Sequence, residues 1–113
     1  RSISVANLVV LESAQRELEE IAQLHKNLVG PHSARNITDL ILDTLSHVEM
    51  FPLSGHIPRD KELRNGGYRY VIAGKYICMY RLIGEEVYVY HIAHGARNYP
   101  TLFKRLLKED CLD

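Results

Sequence analysis

The chain has 113 residues, a formal net charge of zero, 46% hydrophobic residues and 25% charged residues. This balance excludes a collagen-like or disordered chain and predicts one compact domain over residues 1–113. No run approaches the roughly 20 apolar residues of a membrane-spanning helix, and no signal-peptide pattern opens the chain, so we expect a cytoplasmic protein without membrane contact. Two cysteines, Cys78 and Cys111, are too few for a disulfide framework and predict reduced thiols.

Charge is distributed unevenly along the chain. Residues 1–50 carry four Lys/Arg against seven Asp/Glu, so the second half carries the compensating positive excess, which is concentrated in residues 59–105. A basic half indicates contact with an anionic partner. Scattered, solvated side chains would give the same count, so charge alone leaves both interpretations open.

The first half of the chain predicts a strand followed by two helices. Residues 5–11 are short, apolar and partly β-branched, which is typical of a buried strand. Ser13 is a candidate N-cap for a helix that Gly30-Pro31 ends, and Ser33 is a candidate N-cap for a second helix. The second helix has apolar residues at helical spacing until Phe51-Pro52. The two helices should form an antiparallel hairpin.

The second half predicts an antiparallel meander. Residues 53–58 are rich in turn formers, and the β-prone runs 68–72, 76–82 and 87–93 are separated by short glycine-containing turns. A short basic helix is expected to begin near Pro100. The order is that of an α+β fold, with an N-terminal strand and a helical hairpin packed on a small antiparallel sheet, whose other face we expect to stay partly open.

Tyrosines alternate with basic residues along the predicted strands and after them. The residues concerned are Tyr68, Arg69, Tyr70, Lys75, Tyr76, Tyr80, Arg81, Arg97 and Tyr99. Basic side chains neutralise phosphates and aromatic rings stack on unpaired bases, so this mixture suits single-stranded RNA. An ordinary tyrosine-rich sheet packed beneath helices explains the same residues, because strand propensity alone enriches tyrosine.

The histidines and cysteines do not predict a metal site. His91 and His94 are three apart, so a continuous strand would direct them to opposite faces, and we expect no metal and no cofactor. His94 could act as a general acid or base, or could be a hydrogen-bonded structural residue at a strand end. No phosphate-binding glycine loop, serine-hydrolase elbow or CxxC motif is present.

Five segments in order resemble the RelE/ParE superfamily of toxins from type II toxin–antitoxin systems, the plasmid stabilisation type. They are Glu17–Ala22, Phe51–Gly55, Gly67–Tyr76, Tyr80–Leu82 and His94–Tyr99. The resemblance extends from about residue 5 to residue 107 and implies a helical hairpin on a small antiparallel sheet. It also implies a cognate antitoxin, with which the toxin could form a hetero-oligomer.

The resemblance implies two alternative activities. RelE-like toxins cleave messenger RNA on the ribosome, and ParE-like toxins poison DNA gyrase. A nuclease of this type would use Arg69, Arg97 and His94 as catalytic residues, with Lys75 beside them. The residues expected to bind a target are Arg69, Lys75, Tyr80, Arg81, Arg97 and Tyr99.

Two positions depart from the nuclease pattern. Ile77 follows Tyr76 where the family's third strand usually reads Tyr-Arg, and Phe103 stands near the place of a catalytic tyrosine. Together with the ParE-like ending His94–Pro100, these departures favour a gyrase-directed, non-enzymatic toxin. A ribosome-dependent mRNA endoribonuclease is the alternative, and a non-toxic binding module on the same fold is a third interpretation.

Overall fold

A computed structural model describes residues 7–95 and 99–111, with side chains as far as Lys108. The elements are β1 (Asn7–Val10), α1 (Glu12–Leu28), α2 (Pro31–Met50), α3 (Lys61–Asn65), β2 (Tyr68–Ala73), β3 (Tyr76–Ile83), β4 (Glu86–His94) and α4 (Tyr99–Cys111). The expected α+β class, with a helical hairpin, a meander and a C-terminal helix, is confirmed. Residues 5 and 6 of the predicted first strand, Arg97 and the Cys111 side chain lie outside the described part.

The four strands form one sheet in the order β1-β4-β3-β2. Strands β2, β3 and β4 pair antiparallel, as the short turns predict. Strand β1 pairs parallel with β4, from Asn7 opposite Glu86 to Val10 opposite Val89. The sheet is therefore mixed rather than purely antiparallel, because α1 and α2 separate β1 from the strands that follow and return the chain to the opposite edge.

Both predicted N-caps were wrong in detail. Helix α1 begins at Glu12, and the Ser13 hydroxyl donates to the carbonyl of Tyr90 at 2.8 Å instead of capping the helix. Helix α2 begins at Pro31, and Ser33 lies 3.1 Å from the His25 ring. In both cases a tertiary contact recruits the hydroxyl that local sequence assigned to a helix end.

Helix α1 also contacts the part of β4 that lies beyond its pairing with β1. The Glu17 carboxylate accepts the Ile92 N–H at 2.9 Å, and its other oxygen lies 2.9 Å from Nδ1 of His91, which is buried. These contacts satisfy strand groups beside an irregularity in the β3–β4 pairing, between Met79 and Tyr80. They fix the helical hairpin against the sheet.

Two separate cores lie on the two faces of the sheet. The hairpin face is filled by residues of α1, α2 and the strands, among them Ile41, Leu45, Cys78, Val87 and Val89. The other face carries a second cluster, which contains Leu63, Ile77, Met79 and Phe103 at its centre. This face, expected to stay partly open, is covered over part of its area because α3 and α4 fold back onto it. No helix within the described ranges is long and apolar enough to span a membrane.

Helix α3 was not predicted from sequence. Its N-cap is Asp60, whose carboxylate accepts the Leu63 N–H at 3.1 Å and pairs with Lys104 of α4 at 2.8 Å. The sequence signal was available, because an Asp precedes a short segment that contains Glu at its second position. The pair links the two helices that cover the second face.

The Asp60–Lys104 pair predicts a stability change in acid. Hydrogen bonds, first from Lys104 and then from the Leu63 N–H, hold the pKa of Asp60 below its ordinary 3.8. Because the folded-state pKa is depressed, the stabilisation is complete above the unfolded-state pKa and is lost as pH falls through the folded-state pKa. Urea unfolding should show wild type more stable than Asp60→Asn at neutral pH, with the difference shrinking below about pH 4. A difference that persists unchanged in acid would contradict this prediction.

Candidate functional site

Tyr80 is a core residue, and its assignment to target binding was wrong. The side chain has no exposed surface. Its hydroxyl donates to the Pro52 carbonyl at 2.6 Å and accepts the Gly55 N–H at 3.0 Å. Burial raises the pKa of Tyr80, although the Gly55 N–H and the charge of Arg69 oppose the increase. Tyr80 therefore anchors the loop after α2.

Arg69 supports the same loop from the hairpin face of the sheet. It lies opposite Tyr80 in the β2–β3 register, and one guanidinium nitrogen, Nη1, donates to the carbonyls of Leu53 at 3.2 Å and Gly55 at 3.1 Å. The side chain is half-buried. These contacts give Arg69 a structural role, whatever else its remaining N–H groups bind.

His94 and Lys75 lie at the end of the sheet that carries the β2–β3 turn. Both are exposed, and the Gly95 N–H donates to the Lys75 carbonyl at 2.6 Å. The His94 ring lies edge-on to Tyr76, with ring centroids 5.6 Å apart. The structure thus brings Lys75 and His94 to one end, and the expected contribution of Arg97 remains a prediction because Arg97 lies outside the described residues.

The proposed nuclease residues are not gathered at one point. His94 pairs with Tyr76 and Arg69 pairs with Tyr80, four residues further along β3. At about 3.3 Å per residue, their backbones are separated by roughly 13 Å along the strands, on opposite sides of β3. The backbones of Arg69 and His94 are therefore far apart for a phosphate-binding cation and a general acid, which must both reach one scissile phosphate.

Arg81 lies on the opposite face of the sheet from Arg69. Its guanidinium carbon is 4.9 Å from the centroid of the Tyr68 ring and 5.3 Å from that of Tyr90. One terminal nitrogen donates to the Gly66 carbonyl at 3.3 Å and the other donates to the Tyr90 hydroxyl at 2.7 Å. We call Arg81, Tyr68, Tyr90 and Gly66 the Arg81 clamp. The clamp holds the Arg81 guanidinium in a half-exposed position. The sequence analysis did not predict this arrangement.

The other tyrosines are also engaged within the protein. Tyr70 contacts the rings of His56 and Tyr99, at centroid distances of 5.1 and 5.0 Å. Burial, followed by the hydrogen bond with Tyr70, raises the pKa of Tyr99 to about 12. The interpretation as an ordinary packed tyrosine sheet is therefore favoured over a free platform for nucleotide bases, and Tyr99 contributes mainly to packing.

The two departures used to argue against a nuclease are core positions. Ile77 is 8% exposed and Phe103 is fully buried in the second cluster. Neither position opens onto a surface where a catalytic group could act. A Tyr-Arg pair also occurs later in β3, as Tyr80-Arg81.

Cysteine and metal chemistry receive no support from the described residues. Cys78 is buried, and this burial raises its pKa to about 12, so its thiol is unreactive near neutrality. Within residues 7–95 and 99–108, no group of three or more His, Cys, Asp or Glu side chains is arranged to hold a metal ion.

Comparison with known proteins gives the family. The family model for the ParE toxin of the type II toxin–antitoxin system parDE matches residues 8–99. This chain belongs to that family. Among curated protein sequences, none is significantly similar to it.

Two solved structures share the fold. The chromosomal ParDE toxin–antitoxin system from P. aeruginosa superposes with a TM-score of 0.70 at 16% identity, covering 83% of this chain and 100% of the other. The RelBE2 toxin–antitoxin complex from Mycobacterium tuberculosis gives a TM-score of 0.60 at 17% identity, covering 80% and 99% of the respective chains. At these identities the similarity concerns the fold alone.

Proposed function

We propose that this ParE-family toxin acts in the cytoplasm by inhibiting DNA gyrase and not by cleaving RNA. The observation that carries the proposal is the separation of Arg69 from His94 by roughly 13 Å along the sheet. The engagement of Tyr68, Tyr70 and Tyr99 with neighbouring rings supports it, because RNA cleavage needs rings that can stack on bases. Inhibition of a protein target needs neither a catalytic pair at one phosphate nor aromatic rings that stack on bases.

A supercoiling assay with purified gyrase tests the proposal. The toxin should inhibit supercoiling, and Arg97→Ala should raise the inhibitory concentration several-fold, because we expect the arginine that follows the last strand in sequence to contribute to association. Added salt should mimic the substitution. Arg16→Ala, an exposed arginine on α1, is the matched control and should leave inhibition unchanged.

The RelE-like endoribonuclease is the alternative, favoured by one observation. Arg81 presents a half-exposed cation beside tyrosine hydroxyls, which a nuclease could use to stabilise a phosphate in the transition state. In that case mRNA in translating ribosomes would be cleaved promptly while gyrase stays active, which would overturn the gyrase proposal. A normally folded protein that does neither and does not arrest growth would indicate the third interpretation, a non-toxic binding module.

The proposed partner is a cognate antitoxin that adds a strand along β1 and continues as a helix. Among the described residues, side chains cover the outer edge of β1: Glu49 accepts the Leu8 N–H at 3.2 Å, and Gln15 donates to the Val10 carbonyl at 2.8 Å. The outer edge of β2 is bridged by main chain, since His56 and Tyr70 exchange two backbone hydrogen bonds. Side chains rotate away more easily than an anchored loop, so β1 is the edge that a partner strand can reach.

Amide hydrogen exchange separates the two edges. Binding of the co-encoded antitoxin should slow exchange of the outward-facing Leu8 and Val10 amides and leave Tyr68 and Ile72 on β2 unchanged. Calorimetry at micromolar concentrations should show a hetero-oligomer. Protection confined to β2 would transfer the site to that edge, and failure to associate would remove the proposed partner.

A further inference from the structure

The Arg81 guanidinium has more donors than acceptors. A guanidinium carries five N–H groups, and here one binds Gly66 and one binds Tyr90. The remaining three have no acceptor within the described part of the chain, and Nε is buried away from water as well. The free N–H groups on the two terminal nitrogens of this half-exposed side chain are therefore the donors that a partner outside the chain can bind.

The charge of Arg81 is also uncompensated inside the protein. No carboxylate among the described residues lies within salt-bridge distance of its guanidinium, whereas Lys104 on the same face of the sheet pairs with Asp60 at 2.8 Å. The faces of Tyr68 and Tyr90 offer cation–π attraction, which offsets only part of the lost hydration. A half-buried cation held this way is prepared to receive an anion.

The clamp restricts how an anion can approach. The centroids of the Tyr68 and Tyr90 rings are 5.3 Å apart, so both rings lie on one side of the guanidinium, and a ligand's acceptors meet the N–H groups in the plane where they point. A carboxylate fits that fork with two parallel hydrogen bonds. The cations Arg69 and Lys75 lie on the other face and at the far end of the sheet, so a run of nucleic-acid phosphates would not contact all three.

We propose that the Arg81 clamp is a carboxylate-binding site that receives an Asp or Glu side chain of the antitoxin. The inference rests on the antitoxin proposed above as the partner, and it identifies one contact that holds the antitoxin on this chain. Bidentate pairing satisfies the free N–H group on each terminal nitrogen and neutralises the charge, so Arg81 acts as an energetic hot spot beside two tyrosines.

Calorimetry with the co-encoded antitoxin and variants of Arg81 tests this site. Arg81→Met keeps a long apolar side chain against the two tyrosines and should weaken binding by about ten- to a hundredfold. Arg81→Lys keeps the charge without the fork and should give an intermediate loss. Arg16→Met on exposed α1 is the matched control and should bind like wild type. The melting temperature of Arg81→Met should equal or exceed that of wild type, because the change removes an unsatisfied buried donor.

Nitrogen-15 NMR of the Arg81 Nε–H gives a second readout. Its resonance should shift with the antitoxin and, at high concentration, with acetate, whereas a response to inorganic phosphate and RNA without one to the antitoxin would overturn the inference. Equal affinity of Arg81→Met and wild type would also overturn it while leaving the antitoxin as partner. If wild type does not bind the antitoxin at all, the proposed partner fails and the inference fails with it.

Discussion

Replacing Gly55 with alanine is expected to lower the free energy of unfolding by about 3 kcal/mol or more. A β-carbon at this position would lie 2.3 Å from the Tyr80 hydroxyl oxygen and 2.7 Å from a ring carbon. Tyr80 is fully buried and hydrogen-bonded to Pro52, so its ring cannot swing aside without breaking the contact that holds the loop. The substitution therefore combines overpacking with the loss of buried hydrogen bonds.

A double-mutant cycle separates the two causes. Tyr80→Phe alone should cost about 2 kcal/mol, because it leaves the Gly55 N–H and the Pro52 carbonyl without their shared partner. In the double variant the closest clash is removed, so urea unfolding should show a loss smaller than the sum of the two single losses. Ser54→Ala, an exposed neighbour, serves as the control and should change stability by less than about 0.5 kcal/mol. Strict additivity would show that the two residues do not interact.

Replacing Phe103 with alanine should destabilise the protein by about 3 to 5 kcal/mol. Phe103 has no exposed surface, packs with Leu63, Ile77 and Met79, and meets the Tyr99 ring at a centroid distance of 6.0 Å. The cavity would lie between α4 and the sheet, where few other buried side chains could fill it. Since single domains are stable by about 5 to 15 kcal/mol, the variant should be appreciably unfolded near its working temperature.

Phe103→Tyr distinguishes this core role from a catalytic one. A hydroxyl at this buried position would find no solvent, so the variant should also be less stable than wild type, by about 1 to 3 kcal/mol, and should gain no nuclease activity. Lys108→Ala, exposed on the same helix, is the control for general effects on α4. A Phe103→Tyr protein that is fully stable and newly cleaves mRNA would contradict the core assignment and support the nuclease branch.

The structure does not bring the predicted site residues together on one surface, and the reason is the alternation of strand residues between faces. Arg69 and Arg81 look alike in sequence, since each follows a tyrosine, yet Arg69 pairs with Tyr80 on the hairpin face while Arg81 pairs with Tyr68 on the other. Register decides this, and register depends on where each turn closes. The sequence likewise could not show that Tyr80 is buried, because tyrosine occurs both at partly solvated surfaces and in cores where its hydroxyl has a polar partner.

Sequence alone determined the element order, the helical hairpin, the three-strand meander and the family, because each depends on local periodicity, turn residues or an ordered motif set. Tertiary structure decided the parallel pairing of β1 with β4, the return of α3 and α4 onto the second face, and the clamp around Arg81. These features join residues distant along the chain, such as Glu17 with His91 and Asp60 with Lys104. Local propensity carries no information about such contacts, since they form only when packing of the apolar faces brings the segments together.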